Sequence, residues 1–500
     1  MMGLEIARVA ISTVALSKFP IVDGKLGSTH VLPPAPALPR SGRQCSLPRR
    51  MFLLRDTRAL RANAGPLVFV WSIWAAFCWY LVDFVRAFGV DCPYFDEWEM
   101  IPTLTGNQPI TLKWLWSQHN EHRIFLPRLM YLAVEKVARY DFRAGMFFDV
   151  FALGAAAAAL IVLVRRIRGR TEYTDAFFPV LVLNLGQAQT FTNSFQICLV
   201  AGTLLFVAAL MLSVHAARLG FRSSVALGVC AILLPLVGGH GVALVPALAV
   251  CVVITGWGLR GEPRGRWKML FVWALAGIAV ALTAFYFVNY TRPAKHPVSP
   301  GIGATLDASV QFLTTGFGAA ARFGWPQTRF LFFALVGASV VALIVVFKNR
   351  PEERARAARV LLFLVAMASL ALGIGWARNA LGASALFASR YVALAAPFWC
   401  AIYLAWEFLD RAPVRHFVQM TLLFCASTLV VANHQDAKRE AVYFRDVRQS
   451  VVLDLRAGMQ LEPLVTRHKG QLYYGDRAAL VERMKMLRDK KIGAFGLLHP

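Results

Sequence analysis

The chain has 500 residues, 57% of them hydrophobic and only 16% charged, with a mean hydropathy of +0.53. That balance excludes an ordinary soluble globular protein, which is nearer half apolar and a quarter charged. The formal charge of +25 does not signal nucleic acid, because Lys and Arg fall in short loops between apolar runs and no basic helix or aromatic-basic module accompanies them.

Residues 1–66 read as a cytoplasmic, disordered tail, because VLPPAPALPRSGRQCSLPRR is rich in Pro and Arg and the apolar stretch before it is too short for a signal peptide. Met51, directly after Arg49 and Arg50, would make a normal membrane-protein start. Apolar runs near the ~20 residues needed to cross a bilayer then recur, and predict an all-α, polytopic transmembrane bundle of about 11 spans over 67–432. The first is 66–88, preceded by Arg50, Arg55, Arg58 and Arg61, which places its start in the cytoplasm and the loop 89–144 outside. Within that loop, apolar residues at helical spacing over 126–137, with Arg128, Glu135 and Lys136 off the stripe, predict an amphipathic helix at the outer membrane surface. Further spans are expected at 145–164, 176–191, 195–214, 225–237, 242–257, 269–288, 330–347, 360–376, 391–409 and 417–431, and every strongly basic short loop then falls on one side. Residues 433–500 are expected outside, as a small soluble tail with helical periodicity in DRAALVERMKMLRDKK. Cys78, Cys198, Cys230, Cys251, Cys400 and Cys425 lie in apolar runs and read as small hydrophobes; Cys45 and Cys92 remain, and no disulfide framework or zinc spacing is implied.

The loop stretch YFDEWEMIPTLTGNQPITLKWLWSQHNEHRIFLPR, 94–128, combines paired carboxylates, two histidines and many amphipathic rings. Asp96 and Glu97 can be read as a solvated pair. An aromatic-flanked loop between spans can equally desolvate one carboxylate into a general base, with its neighbour supporting it or binding a metal. In HNEHR, the residues His119, Glu121, His122 and Arg123 read as substrate or phosphate contacts; a divalent cation is the alternative, weakly supported by HxxH spacing alone. Polar side chains at membrane depth cluster toward the outer side: Asp83, Asp149, Asn184, Gln187, Gln189, Asn193, Gln196, His240, Arg378, Arg390 and Tyr391. Interhelical hydrogen bonding accounts for such residues singly; their one-sidedness suggests a water-filled outer cavity.

The Asp96-Glu97 pair in the first outer loop, the amphipathic helix after it and the multi-span core resemble the GT-C glycosyltransferases, which include the protein O-mannosyltransferases and the aminoarabinose transferases of lipid A. FDEW, HNEHR and SRY also resemble stretches of bacterial membrane proteins placed near that superfamily. The resemblance covers about 67–432, but its specific part is the acidic pair and its location; HNEHR is not a general motif of the superfamily, which leaves the acceptor open. It implies a bacterial inner-membrane enzyme with its site facing the periplasm or exterior. The donor would be a sugar on a polyprenyl phosphate, the acceptor a glycan, lipid or protein of the cell envelope, and Asp96 the base. Gln196, His240, Arg390 and Tyr391 join the HNEHR residues as expected substrate contacts, and Arg390, Arg378, Arg292 and Lys295 are the cations available to a leaving phosphate, unless they anchor the membrane interface. Two other classes fit the same cavity: a transporter or flippase of an anionic lipid or glycan, and a membrane acyltransferase using His240.

Overall fold

The structure, a computed structural model, describes residues 49–292 and 299–498, with side chains except at 49–63 and 383–384. Cys45, Lys295 and the reading of residues 1–48 as a disordered tail lie outside the described residues. The chain divides at Gly65 and Pro66 into two units, and every side-chain contact and site described below belongs to the second. The described residues are 81% helical with almost no strand, and among them eight helices are long and apolar enough to span a membrane.

The first long helix is α1, Arg49–Phe88, whose membrane-length part is Ala64–Phe88. The outer-loop helix is α2, Phe125–Val137, and the next span is α3, Ala144–Arg168. Then come α4, Ile197–Val214; the two shorter apolar helices α5, Phe221–Val237, and α6, Val245–Gly258; and α7, Gly265–Tyr286. A half-length helix, α8, Ile302–Thr314, buried mainly in its second half, precedes α9, Thr328–Asn349, and α10, Arg354–Arg378. The bundle centre is α11, Val392–Ala405, in which every residue is buried, as expected of a helix that is apolar all round. Even there the polar atoms are satisfied: Trp399 Nε1 donates to the Leu313 carbonyl at 2.7 Å, and the Tyr403 hydroxyl donates to Asp175 at 2.8 Å. The last span, α12, Ala412–Thr428, runs almost directly into α13, Val430–Arg456, and α14, Leu461–Leu472, and α15, Arg477–Asp489, follow.

Three features differ from the sequence reading. The expected span at 176–191 is broken into short helical pieces, Tyr173–Ala176, Phe177–Val182, Leu185–Gln187 and Ala188–Thr192. Side-chain amides take over where the backbone ladder stops. Asn184 accepts from the Gly186 amide at 2.8 Å, and Gln187 donates to the Val182 carbonyl at 2.6 Å. Irregular backbone at membrane depth is tolerated only when buried in protein, and residues 174–188 are all buried. Gly186 is required here, since a Cβ would lie 2.4 Å from the Cα of Gly318.

The second difference is in α2, whose amphipathic pattern has its faces assigned otherwise. Arg128 and Glu135 are buried, while Leu129 and Val137 are exposed. Arg128 turns inward because its guanidinium holds the carbonyls of Trp114, Leu115 and Ser117. Beside the exposed Val137, an apolar groove of about 540 Å³ opens between α2 and α3, lined by Val134, Phe147, Phe148 and Phe151.

The third difference is the tail, which is no appendage. A second hydrophobic core joins Tyr94, Trp98, Ile101 and Tyr131 of the first loop to Val451, Leu464, Leu480 and Phe495 of the tail, and takes in Ile197 and Cys198 at the start of α4. The loop and tail thus form one packed cap.

Candidate active site

Asp96 sits on a 3-10 turn, Phe95–Met100, started by Tyr94 in extended backbone. Glu97 closes that turn: its Oε2 accepts from the Tyr94 amide at 2.7 Å, and the side chain is fully buried. Burial pushes the Glu97 carboxyl up to about 8, against the pull of the Arg448 charge and the amides of Tyr94 and Phe195. The neighbouring carboxylates therefore face different ways. Asp96 keeps 35% of its side chain exposed while Glu97 lies inside the cap. Phe95, between Tyr94 and Asp96, has φ +45°, an uncommon conformation for a bulky residue that costs about 1–3 kcal/mol. The rings of Tyr94 and Tyr474, with centroids 4.2 and 6.4 Å from that of Phe95, hold it there.

HNEHR forms a two-stranded hairpin, β1, Gln118–His119, and β2, His122–Arg123. Asn120 takes the left-handed conformation at φ +48°, which Asn tolerates better than most residues. The hairpin lays His119 Nε2 3.1 Å and Asn120 Nδ2 3.3 Å from Asp96 Oδ1. A carboxylate can only accept, so His119 carries its proton on Nε2. The Tyr474 hydroxyl, delivered by the tail, interacts with both Asp96 and Asn120. Burial acts to raise the Asp96 pKa. The bonds from His119 and Tyr474 and the charges of His119 and Arg390 outweigh it and hold the carboxyl below the ordinary carboxylate value.

A second cluster stands beside the first. Glu121 pairs with Arg378, and His122 Nε2 lies 3.7 Å from the same Glu121 oxygen. The hydroxyl of Tyr391 accepts from both Arg378 and Arg390, and the Arg390 guanidinium also lies over the Tyr391 ring, 5.1 Å from its centroid. Residues from the first loop, the end of α10 and the start of α11 therefore meet, and the Arg390 charge reaches Asp96. Below them, Gln189 donates to Glu440 at 2.7 Å, and its amide to the Ser389 hydroxyl at 3.3 Å.

The other predicted residues lie at varying remove. Arg123 is committed to scaffolding: it donates to the carbonyls of Tyr286, Trp116 and Val288 at 2.9, 2.8 and 2.7 Å. Its expected role as a phosphate donor gives way to this clamp, which ties the hairpin to the end of α7. Gln196 precedes α4, next to Phe195, whose ring packs against His119 at 5.3 Å. His240 is buried behind His122, with ring centroids 6.3 Å apart, and fills space over Gly202. Arg292 is exposed next to Thr291, whose backbone is bonded to Gln118 of the hairpin. Among the described residues, no three His, Cys, Asp or Glu side chains are placed to hold a metal ion. Asn120 was passed over within HNEHR, and Tyr474 and the tail pair Tyr473 and Arg483 escaped the sequence reading; the YYGD run at 473–476 was the only local signal for the two tyrosines.

The fold defines the class, an all-α multi-pass membrane protein. Compared with models of known families, with curated proteins and with solved structures, the chain matches none.

Proposed function

We propose that the protein is a glycosyltransferase of a bacterial inner membrane, moving a sugar from a polyprenyl-phosphate donor to a cell-envelope acceptor on the extracytoplasmic side. The observation that carries this reading is the partly exposed Asp96 carboxylate, fixed by His119 and Asn120 beside the Arg390–Tyr391–Arg378 cluster. Asp96 takes the proton of an acceptor hydroxyl as its oxygen bonds to the anomeric carbon, and the bond from that carbon to the phosphate oxygen breaks. The lowered pKa keeps Asp96 in the form that can accept a proton at neutral pH. Arg390 and Arg378 meet the charge developing on the leaving phosphate. Glu97 supports the turn, and His119 and Glu121 orient the base and Arg378.

Asp96→Asn tests the reading in purified protein supplied with a labelled polyprenyl-phosphate sugar. The expected result is folded protein that retains donor binding, with transfer reduced at least ~10²-fold, typical of losing a general base. Full transfer by Asp96→Asn would refute the assignment. Movement of intact donor across vesicles without a new glycosidic bond would favour a flippase.

A further inference from the structure

The tail reaches the candidate site through two adjacent tyrosines. Tyr473 is directed to Glu99, donating its hydroxyl to Oε1, while Arg483 Nη2 lies 2.8 Å from Oε2 of the same carboxylate. The Arg483 guanidinium also lies over the Tyr473 ring, 4.8 Å from its centroid. This latch pins the tail to the turn that carries Asp96, three residues before Glu99. Tyr474, its ring centroid 5.3 Å from that of Tyr473, turns to the neighbouring Phe95 and Asp96 instead. Its ring stacks on Phe95 at an interplanar angle of 29°, covering the residue in left-handed backbone, and its hydroxyl reaches Asp96 and Asn120. Strained backbone of this kind persists where surrounding contacts hold it, and Tyr94 and Tyr474 supply two of them. A solvent-exposed tail would have no reason to bury Tyr473 or to place a second phenol on a strained turn.

We propose that Tyr474 is a positioning residue for Asp96: the tail, latched at Glu99 and stacked on Phe95, delivers a phenol whose O–H donates to the carboxylate and fixes its orientation together with His119. This rests on the reading of Asp96 as the base of a transfer reaction, and assigns the tail a direct part in that site. A neutral donor on a carboxylate stabilises its charged form, so removing the hydroxyl lets Asp96 take a proton at higher pH.

Tyr474→Phe removes the hydroxyl and keeps the ring. In full-length purified protein, the Asp96 carboxyl is followed by infrared titration, with Asp96→Asn identifying its band. The expected result is an Asp96 titration displaced to higher pH in Tyr474→Phe, with unchanged protease resistance of the tail. His119 and the Arg390 charge still act on Asp96 in this variant, so the loss of transfer should grow as pH falls toward the displaced titration and vanish at about pH 8. A purely structural role would lower activity equally across pH and leave the titration in place, which overturns the proposal. If Tyr474→Phe does not accumulate, a fluorinated tyrosine at 474, a stronger donor, should displace the titration to lower pH, and no displacement again overturns the proposal. The titration needs no transfer: a displaced titration in a protein that transfers no sugar keeps this inference and sinks the transferase reading, whereas transfer with an immovable titration sinks this inference alone.

Discussion

Asp96 and Glu97 are adjacent in sequence and opposite in environment, and the difference decides what each can do. Asp96 collects donors and a nearby guanidinium and stays charged; Glu97 loses water and is pushed up to about 8. Glu135 on α2 is a second carboxyl of this kind, fully buried and raised to about 9 by burial and by the charges of Glu97, Asp141 and Asp91. A carboxyl whose folded pKa lies above its unfolded value binds more protons when folded. Its stability contribution is full below the unfolded pKa near 4.5 and declines as pH rises toward the folded value, about 8 for Glu97 and about 9 for Glu135. The cap should therefore melt at lower temperature at about pH 9 than at about pH 5. Glu135→Gln should remove about 2–4 kcal/mol of that dependence, since the amide copies the protonated form. Thermal unfolding of both proteins across this range checks it; parallel profiles would mean that Glu135 is ionised in the folded state. Both carboxyls were open to opposite readings in the sequence, because neighbouring acidic residues carry no record of which one the turn will bury.

At the scale of elements, the HNEHR hairpin is held from behind as firmly as it presents its front. Arg123 spreads its guanidinium over three carbonyls from two separate segments, and its own amide donates to the Tyr286 hydroxyl at 3.1 Å. A planar fork can serve three acceptors in fixed directions, and an ammonium cannot copy it. Arg123→Ala should destabilise the cap by about 3 kcal/mol by leaving buried carbonyls unpaired, and Arg123→Lys should recover little. Thermal shift assays on the two variants measure this, and recovery by Lys would show that charge rather than fork geometry holds the hairpin. Sequence reasoning found this loop because its polar and aromatic residues are contiguous. It mistook the arginine's role because a guanidinium suits a phosphate and a set of carbonyls equally well. The break at 173–192 escaped for a related reason: hydropathy counts Phe177, Val180 and Leu181 as span, and does not register that Asn184 and Gln187 replace backbone partners with their own amides.

Over the whole molecule, the shared core of loop and tail constrains the topology. Two segments packed into one core lie on one side of the membrane, so an even number of crossings must separate them. One of the eight long helices precedes the loop, and the rest with the two shorter ones make an odd number. A crossing by the broken segment 173–192 would make the number even. It runs from the ion cluster of Asp175 with Arg168, which also pairs with Glu407, to Gln189 beside Glu440 and Ser389 near the candidate site. The spans were legible in the sequence because apolar length is a local property, whereas the tail's attachment was not, since Tyr473 and Glu99 are 374 positions apart. Cysteine labelling tests the arrangement. The described native cysteines are buried or half-buried, so in a Cys45→Ala background a membrane-impermeant maleimide reports introduced sites. Lys113 in the loop, Lys490 in the tail and Glu352 between α9 and α10 are all exposed. Lys113→Cys and Lys490→Cys should label together in intact cells, and Glu352→Cys only after permeabilisation. Opposite accessibility of Lys113→Cys and Lys490→Cys would break the shared cap. Labelling of Glu352→Cys alone in intact cells would keep the fold and turn it over, placing Asp96 in the cytoplasm and ending the case for an extracytoplasmic transferase.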